Sequence, residues 1–289
     1  MITGLLMSAL LLWTPLALAA MGGLLHRVGG VVNIGLEGQM LAGALVGALI
    51  SGTTGNWALG VLAAGATGGV IGLLMSLSIT RLGANEIIAG LGFTIVISGL
   101  IGYLLRSVFE VSGTLRVAGL DPLPRILGLD PLFWLTVILV PVIGWSLRNT
   151  VAGLRLRATG DGFDAANALG LPASRIRDTA GALAGVFAGI AGSHLVLGQV
   201  GLFNEDMVAG RGFIALAAFY FGRARPLPTA LACLLFAVFD ATQARLQTAG
   251  VPAQLIQTLP YLVVIAVLTA TAVRDVRGKS SKGRLKHGR

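Results

Sequence analysis

Gly30-Val31-Val32-Asn33-Ile34-Gly35-Leu36-Glu37-Gly38-Gln39-Met40 sets an asparagine, a carboxylate and a glutamine among glycines, with long apolar segments on either side. In lipid, polar side chains and freed backbone groups are costly. They persist where protein shelters them or where they line a water-filled cavity. The stretch therefore points to a polar path inside a membrane-embedded bundle rather than to a simple anchor.

The rest of the chain agrees. Of 289 residues, 55% are hydrophobic and 11% charged, and mean hydropathy is +0.86. Soluble domains carry about 25% charged residues, so the composition is that of a polytopic membrane protein. Apolar runs fall at 3–25, 39–52, 56–79, 85–105, 131–148, 178–198, 208–222, 227–245 and 256–273. With about 20 residues needed per crossing, they predict an all-α bundle of about 8–10 transmembrane helices over residues 1–273. The runs at 39–52 and 208–222 are short and follow polar, glycine-containing stretches, which predicts broken or re-entrant segments there. Gly43 and Gly47, Gly65 and Gly69, and Gly181, Gly185 and Gly189 are each spaced by four and read as close-packing surfaces. The segment before Met21 ends in a cleavage-like Ala17-Leu18-Ala19 but has no basic start, so it reads as a first membrane helix.

Charge orients the bundle. The tail at 274–289 carries Arg274, Arg277, Lys279, Lys282, Arg284, Lys286 and Arg289 against Asp275, in a chain of net charge +9. Such a cluster after an apolar run marks a cytoplasmic end beside anionic lipid and gives no reason to invoke nucleic acid. Arg81, the 149–177 loop with Arg155, Arg157, Arg175 and Arg177, and Arg223 with Arg225 then fall on the same side. Residues 106–130, of balanced charge, fall outside. The side of the N-terminus stays open, because one re-entrant segment would reverse it.

Residues 204–212, Asn204-Glu205-Asp206-Met207-Val208-Ala209-Gly210-Arg211-Gly212, faintly resemble residues 33–40. Paired interrupted segments in two halves point to a transport site. The candidate path residues are Asn33, Glu37, Gln39, Asn85, Glu86, Asn204, Glu205 and Arg211, with Glu37 and Arg211 as a candidate ion pair. The competing role for them, most of all for Asn85, is capping broken helices.

Residues 149–177 form the sizeable polar connection on the cytoplasmic side. There Asp161-Gly162-Phe163-Asp164-Ala165-Ala166-Asn167-Ala168-Leu169-Gly170 reads as a short helix. Asp161 is its expected N-cap, Asp164 sits in the capping-box position, Gly170 suits a left-handed C′ and Pro172 bars continuation. Something is expected to pack over Ala165, Ala166, Ala168 and Leu169: either the chain's own membrane domain or a groove in a soluble partner. Gly153, Arg155, Arg157 and Gly160 form its approach.

Catalytic chemistry is not apparent. Gly278-Lys279-Ser280 imitates the end of a P-loop, but Val273 stands where the pattern needs glycine. His26, His194 and His287 lack metal-ligand spacing, and Cys233 is single. The chain reads as a transport subunit without cofactor or metal.

Four segments carry a resemblance. Asn33-Ile-Gly-Leu-Glu-Gly-Gln-Met40, Gly83-Ala-Asn-Glu-Ile-Ile-Ala-Gly90, Gly153 to Ala158 with Ala165 to Gly170, and Ala209-Gly-Arg-Gly-Phe-Ile-Ala-Leu-Ala-Ala218 follow in order. They resemble the permease subunits of ATP-binding-cassette importers, in the branch that takes branched-chain amino acids, ribose and nucleosides, and come nearest the nucleoside and simple-sugar group. Thr94 stands where that group leads one to expect an asparagine. The resemblance implies a type II importer architecture in a bacterial-type cytoplasmic membrane. It implies a partner ATPase that binds ATP and Mg and docks at Gly153–Gly170, a second permease subunit (identical or homologous), and an extracytoplasmic substrate-binding protein. A nucleoside is the first expectation for the solute, then a simple sugar, then a branched-chain amino acid. An ion-coupled secondary transporter using Glu37 or Glu205 is the competing class, followed by a membrane scaffold.

Overall fold

The computed structural model of the chain describes residues 2–126 and 128–247. The apolar run at 256–273 and the basic tail at 274–289 lie outside the described residues. The chain divides into two units, Met1–Ala237 and Val238–Arg289, the second described only through the end of a helix.

The helices are α1 (Ile2–Val28), α2 (Leu36–Thr54), α3 (Trp57–Thr80), α4 (Glu86–Ser107), α5 (Pro131–Asn149), α6 (Val151–Asp161), α7 (Phe163–Ala168), α8 (Ala173–His194), α9 (Arg211–Phe221) and α10 (Pro226–Gln247). Two short strands, β1 (Thr114–Leu115) and β2 (Phe203–Asn204), pair antiparallel with Thr114 opposite Asn204. Starts are marked by capping side chains. Asn56 accepts from the amides of Ala58 and Leu59, Asn85 from Ile87 and Ile88, and Asp130 from Phe133 with Pro131 following.

Among the described residues six helices are long and apolar enough to cross a membrane. Of the two expectations about the short runs, one needs adjusting and one does not. α2 is continuous over 19 residues, and the interruption lies before it, at residues 29–35. Its polar first turn, with Glu37 and Gln39, hides the helix from an apolar count. α9 is short: 11 residues rise about 16 Å, roughly half of a ~30 Å hydrocarbon core.

α8 is the central element, packed on α1, α2 and α3. Its glycines and alanines bring backbone onto backbone. A Cβ at Gly185 would fall on the Gly68 carbonyl, one at Gly189 on the Ala64 carbonyl, and one at Gly43 on the backbone of Gly189. Such approach maximises dispersion contacts and permits Cα–H···O contacts where lipid supplies no hydrophobic drive. Gly65 and Gly69 meet Ile190 and Val186 of the same helix.

Contacts sort the helix ends into two faces. On one, Arg81 pairs with Asp178 at 3.0 Å, Val32 N–H donates to Glu86, and Arg177 donates to the Gly29 carbonyl. On the other, Asp121 receives the Trp57 amide, Leu123 N–H donates to Leu197, and His194 meets Asp130 at 2.8 Å. α1 therefore ends on the α6 face and begins on the opposite one.

Gly185→Ala is expected to lower the stability of the purified protein by about 1–3 kcal/mol, because the new methyl meets backbone that cannot give way. Gly92→Ala on α4, where a Cβ meets nothing within 4 Å, leaves the thermal melt unchanged. Equal shifts for the two would remove the packing role of the α8 surface.

Candidate functional site

The two polar breaks that look faintly alike in sequence meet in space. Glu37, in the first turn of α2, accepts the Gly210 amide at 2.8 Å on one oxygen and the Gly212 amide at 2.7 Å on the other. Those amides begin α9, whose N-cap Gly210 has φ +79° and no side-chain cap of its own. The carboxylate therefore satisfies two orphan donors and faces the positive end of the α9 dipole. Gly212 makes this possible, since a Cβ there would stand 2.5 Å from the Glu37 nitrogen.

The expected Glu37–Arg211 ion pair is not what forms. Arg211 Nη1 donates to the carbonyls of Met207 (3.0 Å) and Val208 (3.3 Å), and its buried Nε finds no acceptor. The physical reason is that the two amides flanking Arg211 already occupy both carboxylate oxygens in short, charge-assisted bonds.

Around this junction the other segments close in. Asn33 Nδ2 donates to Gln39 Oε1 at 3.1 Å, Gln39 reaches the Met75 sulfur, and Asn33 Oδ1 is buried without a donor. A Cβ at Gly90 would strike Ile34 and Gly35, and one at Gly38 would strike Thr94. Glu86 accepts the Val32 amide at 2.7 Å, while Asn85 caps α4. Asn204 and Glu205 lie apart from this group, at the opposite face. Asn204 donates to Thr114 and accepts from the Asp206 amide, and the Glu205 amide donates to Gly113. The eight residues thus form two groups: six near the helix break and two at the opposite face.

The polar connection is two helices rather than one. Thr150 caps α6 through the Gly153 amide. Gly153 fits against Ser146 and Leu147 of α5, and Gly160 against Val28 and Gly30. Asp161 is the last residue of α6, not the N-cap of α7. Extended Gly162 holds that place without a side-chain cap, because α6 continues one residue past Gly160. The C-terminal expectation matches: Gly170 has φ +81°, its amide donates to Asn167 and that of Leu171 to Ala166, the paired bonds of a Schellman motif. Ala166 is buried within the chain, whereas Ala165, Ala168 and Leu169 face outward, Leu169 with 84% of its surface exposed. Arg155 and Arg157 are exposed on α6. Beneath α6 lies an apolar hollow of about 380 Å³ lined by Leu25, Ile143, Leu156 and Leu183.

Arg177 and Asp178 carry a role that charge counting misses. Arg177 donates to Gly29 at 2.9 Å while its guanidinium lies 4.1 Å over the Phe163 ring. Asp178 accepts from Ser76, Thr80 and Arg81. One dipeptide thus ties α7, α1 and α3 to the foot of α8. The Asp130–His194 pair does similar work at the other face, where a π-helical turn, Leu195–Val200, extends α8. Burial pushes the Asp130 carboxyl up, but His194 and the Phe133 amide outweigh it and hold it below the ordinary carboxylate value. The N-cap signal of Asp130 before Pro131 is visible in sequence; its partner, distant in the chain, is not.

Glu37→Ala is expected to cost about 1–3 kcal/mol by orphaning two amides, read as a lowered melting temperature and reduced transport. The double exchange E37R/R211E does not restore either quantity. Recovery in the double variant would reinstate the ion pair.

The family described as branched-chain amino acid transport system / permease component matches residues 5–268. A Haloferax volcanii protein provisionally named a glucose ABC transporter permease is 32% identical, over 94% of this chain and 92% of its own length. A nucleoside ABC transporter permease of Lactococcus lactis is 30% identical over 88% of each chain. A guanosine ABC transporter permease of Bacillus subtilis is 28% identical over 77% of this chain and 76% of its own. No solved structure matches the chain. With the polar helix breaks, the membrane-length helices and a match over nearly its whole length, the chain belongs to the branched-chain amino acid transport system permease component family, as a multi-pass membrane subunit.

Proposed function

We propose that this permease is the membrane subunit of an ATP-binding-cassette importer that moves a nucleoside, or a similar small polar solute such as a simple sugar, by alternating access. The names of the relatives favour those solutes. The α6 face is cytoplasmic in this reading, because Arg27, Arg81, Arg148, Arg155, Arg157, Arg177, Arg223 and Arg225 gather there. The N-terminus is then extracytoplasmic, and the membrane is the bacterial-type inner membrane.

The observation that carries the proposal is the two-sidedness of α7: Ala166 and Phe163 fasten it to the bundle, and Leu169, Ala165 and Ala168 are bare. A separate ATPase, holding ATP and Mg, docks on the bare side and on Arg155 and Arg157. Its movement reaches Gly29 through Arg177, then the 31–35 break, then Glu37 and α9. A two-oxygen cap on a half-helix is a junction that closes or opens as a unit, which suits a gate. Asn33, Gln39, Asn85 and Glu86 hold the break in shape beside it. Asn204 and Glu205 line the outer mouth, where an extracytoplasmic binding protein delivers solute. A second permease subunit meets the exposed face of α4, on which Ile88, Ile95, Val96 and Tyr103 lie open. The competing proton-coupled mechanism fits less well, since both Glu37 oxygens already serve backbone amides.

Leu169→Asp is expected to abolish co-purification of the ATPase while the permease itself still folds. Ala166→Asp instead lowers permease yield, because that side chain is internal. In cells carrying the whole operon, labelled uridine uptake is expected to require both this gene and an intact ATPase Walker motif. Glucose, ribose or leucine uptake under the same control would move the solute and keep the mechanism. Uptake that survives a dead ATPase would overturn the proposal.

A further inference from the structure

On the α6 face, a cleft of about 620 Å³ opens where α1, α5, α6 and the α9–α10 turn come together. Arg27, Arg148, Arg157, Arg223 and Arg225 line it from four elements, and Asp161 is the carboxylate among its described lining residues. Among the described residues, no ion pair engages Arg27, Arg148, Arg157 or Arg225. Arg27 lies over the Tyr220 ring, and Arg157 Nε donates to its own helix at Gly153. The guanidinium groups of Arg27, Arg148, Arg157 and Arg225 therefore keep most of their donors available. The turn that delivers Arg223 and Arg225 holds two successive non-glycine residues, Arg223 and Ala224, at φ +50° and +52°. Left-handed backbone at two such residues is uncommon and tends to persist where a site depends on it.

The cleft does not end at the arginines. Gly144, Arg148, Arg225 and Pro226 also line an adjoining groove of about 330 Å³ between α5 and α10, walled by Trp145 and Leu227. Val140 and Leu227 continue it into a further apolar hollow with Val137, Leu231 and Leu234. Trp13 closes the end of that hollow, edge-on to Phe133 of α5 and donating to the Ala230 carbonyl of α10. From Arg148 to Val137 the groove follows α5 for about 16 Å, about one leaflet of a ~30 Å hydrocarbon core. Leu231 and Leu227 are more than half exposed along it.

A cationic cleft at the ends of membrane-spanning helices, joined to an apolar trough one leaflet deep, has the charge and shape of a phospholipid standing upright. We propose that this groove is a specific seat for one anionic phospholipid. Its phosphate lies among Arg27, Arg148 and Arg225, and an acyl chain lies between α5 and α10 against Trp145, Leu231 and Trp13. Arginine suits the headgroup because its planar fork binds phosphate oxygens in pairs. A soluble phosphate would use the cleft and leave the trough empty. A zwitterionic lipid would fill the trough and gain little from the arginines. The seat shares Arg157 with the proposed ATPase contact but lies outside the Glu37 junction and the bare side of α7, so it is independent of the solute carried.

The test is native mass spectrometry of the full purified chain, titrated with phosphatidylglycerol or with phosphatidylcholine of the same acyl chains. One phosphatidylglycerol is expected to be retained in preference to phosphatidylcholine. R148Q/R225Q weakens that retention roughly tenfold or more, in line with the attraction of each arginine to an anionic headgroup. L231W, which fills the trough with every arginine intact, weakens it as well, and it decides the matter if R148Q/R225Q does not fold. R116Q/R125Q, at the opposite face, leaves retention unchanged. Equal retention of the two lipids, or retention indifferent to both R148Q/R225Q and L231W, overturns the proposal. Displacement of the lipid by millimolar inorganic phosphate, with L231W silent, makes the cleft a soluble-anion site and overturns it too. No retained lipid at all has the same consequence.

Discussion

A backbone amide in the membrane interior must have an acceptor, and the start of α9 is where this chain meets that demand most visibly. A half-helix beginning inside the bundle presents free N–H groups with no water to take them. Glu37 supplies both oxygens to two of those donors. The carboxylate in turn is tolerable in such surroundings because amides and a helix dipole stabilise its charge. Each feature would be costly alone. Together they hold the 31–40 segment of the first half against the 209–212 segment of the second, and Asn33, Gln39, Asn85 and Glu86 are arranged around that joint.

The joint needs a rigid frame, which α8 provides. Its small residues let α1, α2 and α3 approach until backbones touch, leaving little freedom for the helices to slide. At its foot, Arg177 and Asp178 convert the neighbouring loop into part of the frame. At its head, Asp130 and His194 tie in α5. α7 and the helix break are therefore joined through packed groups of defined geometry rather than through a slack linker. The outward surfaces differ in kind. α4 offers broad apolar area, α7 a small hydrophobic edge, and the α5–α10 groove an arginine-lined mouth.

Much of this was legible from residues alone. Composition and the length of the apolar runs are sufficient for a polytopic helical bundle, because hydrocarbon admits few other folds. The spacing-of-four glycines marked α8 and its neighbours as contact surfaces, and Gly170 with Pro172 marked the end of α7. Capping of α4 by Asn85 followed from side-chain chemistry within three residues. Local misreadings were also physical. Asp161 looks like an N-cap because its neighbours suit one, yet α6 continues through it. Ala166 looks like part of a docking edge, yet the helix turns that position inward.

By itself, then, the sequence determined the class of fold, the polar breaks, the charged face and the family. Each of these depends on residue type and short spacing. Which groups bond across the chain was decided only in three dimensions. Glu37 takes the amides beside Arg211 instead of its guanidinium, Asp130 finds His194, and five arginines from four elements gather over one groove. Such pairings depend on how helices far apart in the chain cross. Glycine spacing announces that helices will touch, but the packed bundle sets which polar atoms they bring together.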